Sequence, residues 1–106
     1  MEKENLYYII DFTNVETYWD MHFTIRDSLD FPNYYGCNWS AFWDCLSDMY
    51  GDIIHIEILG LDVVERKFGD ALNKMMDIFK RFKTKYSQYT DDISIEIVSG
   101  DIRIEI

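Results

Sequence analysis

The sequence predicts a small α/β domain in which helices pack against a three-stranded parallel sheet, with a short extra strand at the C-terminal edge. Residues 5–10, 53–59 and 93–98 are rich in β-branched and aromatic side chains, which is typical of buried strands. Segments with apolar residues three and four positions apart lie between them, as in amphipathic helices. Such alternation requires crossover connections, which make consecutive strands parallel. Residues 1–106 are predicted to form this single domain.

The first helix is predicted between the strand at 5–10 and Pro32. Asn14 is its candidate N-cap, and it must end before Pro32 because the residue preceding a proline is pushed away from helical geometry. Its predicted apolar stripe consists of Tyr18, Met21, His22, Ile25 and Leu29. Trp19 and Phe23 lie off this stripe, and the pattern leaves open whether they cover the sheet or face solvent. If exposed, they offer a contact for a weak homodimer.

The second half of the chain is predicted to supply the centre of the sheet. The run at 53–59 is too dense in β-branched residues for a half-exposed strand, which indicates a central strand of a parallel sheet. A short helix over 61–68 capped by Asp62 and a longer helix capped by Asp70 are expected next. After the last core strand, SGD is a turn signal, and the alternation in IRIEI predicts a short returning strand at the edge.

The net charge of −10 is unevenly distributed along the chain. From Glu4 to Glu65 there are twelve acidic residues and one base, Arg26, whereas seven bases lie between positions 66 and 86. An acidic surface repels nucleic acid and anionic membranes and accelerates encounter with a basic partner. The basic run KRFKTK, residues 80–85, ends a predicted helix, where its charges suit the helix dipole; a nucleic-acid patch is the alternative.

Membrane and metal signatures are missing from the sequence. No stretch approaches the ~18 apolar residues of a membrane span, and the N-terminus lacks a signal-peptide pattern, so a cytoplasmic location is predicted. Cys37 and Cys45 would be roughly 12 Å apart along one helix, too far for a disulfide. Their spacing matches no paired-cysteine zinc signature, and the sequence predicts two unpaired thiols and no metal or other cofactor.

Catalytic signals are weak. The two histidines are expected to be hydrogen-bonded structural residues, His22 on the stripe of the first helix and His55 inside the central strand. His55 and Glu57 would share one strand face, which is the nearest approach to an acid–base pair. No nucleophile is visible beside them and no glycine-rich phosphate loop occurs. The sequence therefore predicts a protein that is not an enzyme, with catalysis by His55 and Glu57 as an alternative.

The stretch YYGCNWSAFWDCL, residues 34–46, combines five aromatic side chains with one carboxylate. It includes the start of a helix predicted from about Asn38 to Tyr50, with Gly51 as its stop. At about 100° per residue, the apolar side chains of this helix share one arc: Trp39, Phe42, Trp43, Leu46, Met49 and Tyr50. A second arc contains its polar side chains: Ser40, Asp44, Ser47 and Asp48.

The loop before this helix is expected to project Tyr34, Tyr35 and Gly36 towards solvent. Aromatic side chains around a carboxylate are typical of protein-binding hot spots, with ordinary packing as the alternative interpretation. In this stretch the sequence resembles the signature of the barstar family, small intracellular inhibitors of secreted ribonucleases of the barnase type. The matching residues are Tyr34, Tyr35, Gly36, Asn38, Ala41, Trp43, Asp44, Cys45 and Leu46.

The resemblance extends from about residue 5 to residue 98 and implies a barstar-like fold; residues 99–106 go beyond that pattern. It also implies that the second helix and its preceding loop cover a ribonuclease active site, with carboxylates where substrate phosphates would lie. Asp44 matches the central carboxylate of the family and Trp43 its border tryptophan. The predicted partner-binding residues are Tyr34, Tyr35, Gly36, Asn38, Trp39, Ser40, Trp43, Asp44, Ser47 and Asp48.

Two residues depart from the family pattern. Ser40 stands where the family's other helix carboxylate is expected, and Arg81 lies about where an acidic contact would be. Asp48, four residues after Asp44, is a candidate replacement on the same helical face. These departures favour a partner with a different active-site rim from that of barnase, such as a ribonuclease toxin delivered to competing bacteria.

The predicted function is that of a bacterial, cytoplasmic immunity protein of a toxin–antitoxin kind. It would bind one basic secreted or delivered ribonuclease, one-to-one, by acidic mimicry of the substrate, without binding nucleic acid or membranes. The alternative is a barstar-like binding module that acts on a non-ribonuclease toxin or on a host regulatory protein.

Overall fold

The computed structural model describes residues 4–49, 51–87 and 92–106. The predicted place of Tyr50 in the second helix lies outside these ranges. In chain order the elements are β1 (Asn5–Asp11), α1 (Tyr18–Ser28), α2 (Trp39–Ser47), β2 (Ile53–Leu59), α3 (Leu61–Phe68), α4 (Asp70–Ser87), β3 (Ile93–Ser99) and β4 (Ile102–Glu105).

The strands form one sheet in the order β1-β2-β3-β4. Strands β1, β2 and β3 pair in parallel, with Tyr7 opposite His55 and His55 opposite Ser94, whereas β4 returns antiparallel to β3. The predicted α/β class, the three-stranded parallel sheet and the extra C-terminal edge strand are therefore confirmed.

Helix α1 begins three residues later than the predicted cap would place it. Thr17, and not Asn14, is the N-cap: its hydroxyl accepts from the Asp20 backbone N–H at 3.0 Å, and the Asp20 carboxylate accepts from the Thr17 N–H at 3.0 Å. This capping box satisfies two backbone donors at once and so defines the helix start. The predicted stripe is buried at Met21, His22, Ile25 and Leu29, while Tyr18 is partly exposed.

The other helix boundaries also differ in detail. Helix α2 ends at Ser47, earlier than predicted, because the Met49 N–H bonds back to the Leu46 carbonyl at 3.0 Å in a tighter turn. Helix α3 is preceded by Gly60 with φ 76°, and Asp62 lies in its first turn and not at its cap. A Cβ at Gly60 would lie 2.6 Å from the Thr13 backbone nitrogen, so this junction requires glycine.

The core lies between the helices and one face of the sheet. Along β2, buried Ile54, Ile56 and Ile58 alternate with half-buried residues and no residue of the strand is exposed, as the density of β-branched residues predicts. Its central position, between β1 and β3, is confirmed. The helices fill the core with large apolar side chains: Met21, Ile25, Phe42, Leu46, Met75, Phe79 and Phe82.

Outside the core, Trp19 and Phe23 are 58% and 40% exposed, which settles the question that the sequence pattern left open. No helix in the described ranges is long and apolar enough to cross a membrane.

Candidate functional site

Helix α2 is attached to the core through its apolar face. Phe42 and Leu46 are fully buried, and the Phe42 ring packs edge-on against Phe79 of α4 at 5.2 Å between centroids. The Trp39 ring, half-buried, packs against Phe42 at 5.9 Å. Burial of large aromatic side chains holds the helix in one orientation, so its opposite face is presented to solvent in a fixed geometry.

Asn38 determines where α2 begins. Its side-chain oxygen accepts from the Ala41 N–H at 2.8 Å, and its side-chain nitrogen donates to the Gly36 carbonyl at 3.2 Å. The first bond is an N-cap and the second joins the cap to the loop. Asn38 therefore holds the loop and the helix together, and its amide is already engaged within the chain.

The two tyrosines of the loop point in opposite directions. Tyr34 is 80% exposed, whereas Tyr35 is only 5% exposed, so the prediction that Tyr35 projects to solvent is wrong. The Tyr35 N–H bonds to the Pro32 carbonyl at 3.0 Å, which makes a turn that directs this ring inward against Phe31. Its hydroxyl is hydrogen-bonded to His22 Nδ1 at 2.7 Å. Tyr35 thus anchors the loop to α1.

His22 forms the base of this anchor. It is fully buried, and the Trp39 ring lies 4.8 Å from its own, between centroids. Burial lowers the pKa of His22 to about 4, so the imidazole is neutral at pH 7. Burial also raises the pKa of the Tyr35 hydroxyl. The predicted structural role of His22 is confirmed, although its Nε2 has no hydrogen-bond partner among the described residues.

The exposed face of α2 contains two carboxylates one turn apart, Asp44 and Asp48. Neither side chain forms a hydrogen bond or an ion pair within the part of the chain that the structure describes. Asp44 lies in the last turn of α2 and Asp48 is its C-cap, where the negative end of the helix dipole disfavours carboxylates. The last turn contains no base that would offset these charges. These positions therefore do not stabilise the helix.

The neighbours of these carboxylates are partly covered. Burial, together with the charges of Asp48 and Asp44, raises the pKa of the half-buried Cys45 thiol. Ser47 does not belong to the exposed polar arc that the sequence predicts, because its Oγ is buried and without a hydrogen-bond partner in the described ranges. The predicted site residues that are exposed are Tyr34, Gly36, Asn38, Ser40, Asp44 and Asp48. Their contact with a partner stays a prediction.

Trp43 is half-buried at the border of α2, as the border tryptophan that the resemblance implies would be. The Arg81 guanidinium of α4 lies 4.6 Å from the centroid of its ring, and Lys85 Nζ lies 5.6 Å from it. Arg81 is one of the two residues that depart from the family pattern, and its contact with Trp43 is not predicted from the sequence. No local pattern could have predicted it, because the contact joins two helices far apart in sequence.

The alternative pair His55 and Glu57 is engaged in other contacts. The His55 ring stacks on Tyr7 at 4.5 Å between centroids, and Glu57 forms an ion pair with Arg103 at 2.7 Å. Their side chains stabilise the open face of the sheet and its edge strand. Cys37 and Cys45 are unpaired thiols, as predicted. No group of three or more metal-ligating side chains occurs in residues 4–49, 51–87 and 92–106.

Comparison with known proteins agrees with this arrangement. A family model described as "Barstar (barnase inhibitor)" matches residues 6–98. A protein of Bacillus subtilis (strain 168), named "Putative ribonuclease inhibitor YrdF", is 51% identical over 37 residues, which are 35% of this chain and 37% of that protein. The family model thus covers most of the chain, whereas the match to this relative spans little more than a third of either protein.

Proposed function

This chain belongs to the barstar family, and from that premise we propose that it inhibits a cationic ribonuclease by covering the active site of that enzyme with α2 and the loop before it. The observation that supports this most directly is the exposed pair Asp44 and Asp48, unpaired carboxylates on a rigid helix face. A ribonuclease binds the phosphates of RNA with positively charged side chains. Carboxylates held in the same place occupy those side chains and exclude the substrate.

The remaining exposed residues extend this contact. Tyr34 supplies a large, exposed aromatic surface in the loop before α2, which suits a binding hot spot. Buried Tyr35 and exposed Asn38 support this surface, because the His22–Tyr35 hydrogen bond and the Asn38 cap fix the loop, with exposed Gly36, against the helix. A surface fixed before binding loses less conformational entropy on association.

The overall charge favours fast association. The net charge of −10 attracts a basic enzyme and repels RNA and anionic membranes. This attraction is screened over ~10 Å at 0.1 M salt, so association should slow as salt is added. One site per chain and one active site per enzyme give a one-to-one complex.

The biological role that follows is immunity in a bacterial cell. A cytoplasmic inhibitor would protect cellular RNA from a ribonuclease that the cell makes for secretion or receives from a competitor. Exposed Trp19 and Phe23 support an additional weak homodimer contact on α1.

The test is inhibition of RNA cleavage, with calorimetric titration for stoichiometry. The purified protein is added to a barnase-type ribonuclease and to any ribonuclease encoded beside its gene. Inhibition at one-to-one stoichiometry is expected, lost in Asp44→Ala and retained in Lys83→Ala. Lys83 is a suitable control because its ammonium donates to Glu105 at 3.1 Å and to the Ile106 carbonyl at 2.6 Å, at the edge strand.

Undiminished inhibition by Asp44→Ala would contradict occlusion by this carboxylate. If the parent protein inhibits neither enzyme, ribonuclease inhibition is refuted for these targets. The alternative function, binding of a non-ribonuclease toxin or of a host regulatory protein, would then be favoured. The departure from the family pattern at Arg81 would be the first residue to examine as the cause of the changed partner.

A further inference from the structure

Helix α4 places three cations beside the carboxylate face of α2. Lys80, Arg81 and Lys85, together with Trp43 and Thr84, line an open groove of about 520 Å³. The three cationic side chains are exposed, and two of them lie against the Trp43 ring. Trp43 directly precedes Asp44 in α2. The groove therefore adjoins the proposed binding face at the border residue Trp43.

These cations lack acidic partners within the part of the chain that is described. Four other bases do form ion pairs, Arg26, Arg66, Lys83 and Arg103. Seven of the 10 basic residues lie between positions 66 and 86, and the acids in that segment of the sequence are Asp70 and Asp77. Lys80, Arg81 and Lys85 form no ion pair with these acids in the described residues, which leaves the groove able to bind carboxylates from outside.

We infer that the groove is a second, cationic part of the binding surface, which contacts a carboxylate-bearing segment on the active-site rim of the partner protein. The identity of that partner rests on the proposed function, whereas the ligand chemistry rests on the groove itself. The Arg81 guanidinium is held over Trp43, and its planar donors match a carboxylate in two parallel hydrogen bonds. A side chain already held in place loses less conformational freedom on binding.

RNA fits this groove less well than a protein does. Single-stranded RNA binds by stacking its bases on aromatic rings, and the Trp43 ring already has the Arg81 guanidinium against it. The adjacent Asp44 and Asp48 repel a phosphate backbone. A folded partner, by contrast, can place cations opposite α2 and carboxylates opposite α4. Such a charge pattern selects one ribonuclease and rejects others whose rim is basic.

The ligand chemistry is tested without the partner. A hexaglutamate peptide and a hexauridylate are titrated separately into ¹⁵N-labelled protein at low salt, and the Trp43 indole N–H and the amides of residues 80–85 are followed by NMR. The peptide is expected to shift these signals in the parent protein and far less in Arg81→Glu. The matched control is Lys74→Glu, the same charge change at an exposed position of α4 outside the groove, which should respond like the parent.

Three results would overturn the inference: no shift with the peptide, a larger shift with hexauridylate, or equal loss of the response in Lys74→Glu. The first would show that the groove binds no carboxylates, the second that it is a nucleic-acid surface, and the third that only the overall charge matters.

The second experiment uses a ribonuclease that the parent protein inhibits. Arg81→Glu is expected to raise the dissociation constant by about tenfold, and Lys74→Glu by no more than about twofold. If Arg81→Glu inhibits as well as the parent does, the groove is not part of the interface, while the proposed function stands. If the parent inhibits no ribonuclease, the proposed function fails, and the peptide experiment still decides what the groove binds.

Discussion

Replacement of Asp44 by asparagine should change binding and stability in opposite directions. The carboxylate is exposed in the C-terminal half of α2, and it forms no hydrogen bond or ion pair with any residue that the structure describes. Asp48, one turn later, adds a second negative charge on the same face. Asparagine has nearly the same shape as aspartate, so Asp44→Asn removes the charge and little else.

The expected magnitudes follow from two simple interactions. Relief of the unfavourable helix dipole contributes about 0.3–1 kcal/mol, and relief of the like charge at Asp48 contributes about 0.2–0.5 kcal/mol. The free energy of unfolding should therefore rise by about 0.5–1.5 kcal/mol. In the complex, a charge pair at ~4 Å with an effective dielectric constant of ~20 is worth about 4 kcal/mol. Loss of that pair raises the dissociation constant roughly a thousandfold.

The assays are urea unfolding of the free protein and calorimetric titration against a ribonuclease that the parent inhibits. Asp101→Asn is the matched control, because Asp101 is exposed in the hairpin between β3 and β4 and its loss changes the net charge equally. Its effect on the dissociation constant should be less than about threefold, since charges beyond the Debye length are screened.

Two results would refute the reasoning. A lower urea midpoint for Asp44→Asn, with an unchanged dependence on urea concentration, would mean that the carboxylate stabilises the helix. Equal affinities for Asp44→Asn and Asp101→Asn would mean that Asp44 does not face a partner cation.

Three further predictions concern the parts that hold the site in place. Burial lowers the pKa of His22 to about 4, so as the pH falls the imidazole is protonated in the unfolded chain before it is protonated in the folded one. The neutral, buried His22 therefore contributes fully to stability above about pH 6.5. Between that pH and about pH 4 the free energy of unfolding falls by up to about 1.4 kcal/mol per pH unit. Urea unfolding of His22→Phe over this range should show a shallower pH slope, and an unchanged slope would contradict the assignment. Asn38→Ala should lower the free energy of unfolding by about 1 kcal/mol, and Asn38→Ser should restore most of it; equal stabilities would mean that the cap contributes nothing. Gly60→Ala should lower the free energy of unfolding by about 1–3 kcal/mol, measured by urea unfolding. Gly100→Ala is the control and should cost less, because Gly100 also has a positive φ but no atom lies within 4 Å of the new Cβ. A larger loss for Gly100→Ala would exclude the clash of the new Cβ at position 60 with Thr13.

Much of the architecture could be predicted because it depends on local periodicity. The strands at 53–59 and 93–98, the edge strand and the stripe of α1 follow from which residues can be buried together on one face of an element. The exposed position of Asp44 follows from the same rule applied to α2. Errors at the helix starts arose where several capping residues competed, and Thr17 prevailed over Asn14 because Asp20 completes a reciprocal pair.

The sequence by itself therefore determined the α/β class, the order of elements and the family signature around α2, since each depends on residues close together along the chain. The tertiary structure alone decided that Tyr35 turns inward to His22, that Ser47 is covered and that Arg81 lies over Trp43. It also left one face of the sheet open, with Glu57 paired to Arg103. Each of these depends on which elements approach one another in space. Contacts between residues far apart along the chain produce no periodic pattern in the sequence, so they could not be predicted from it.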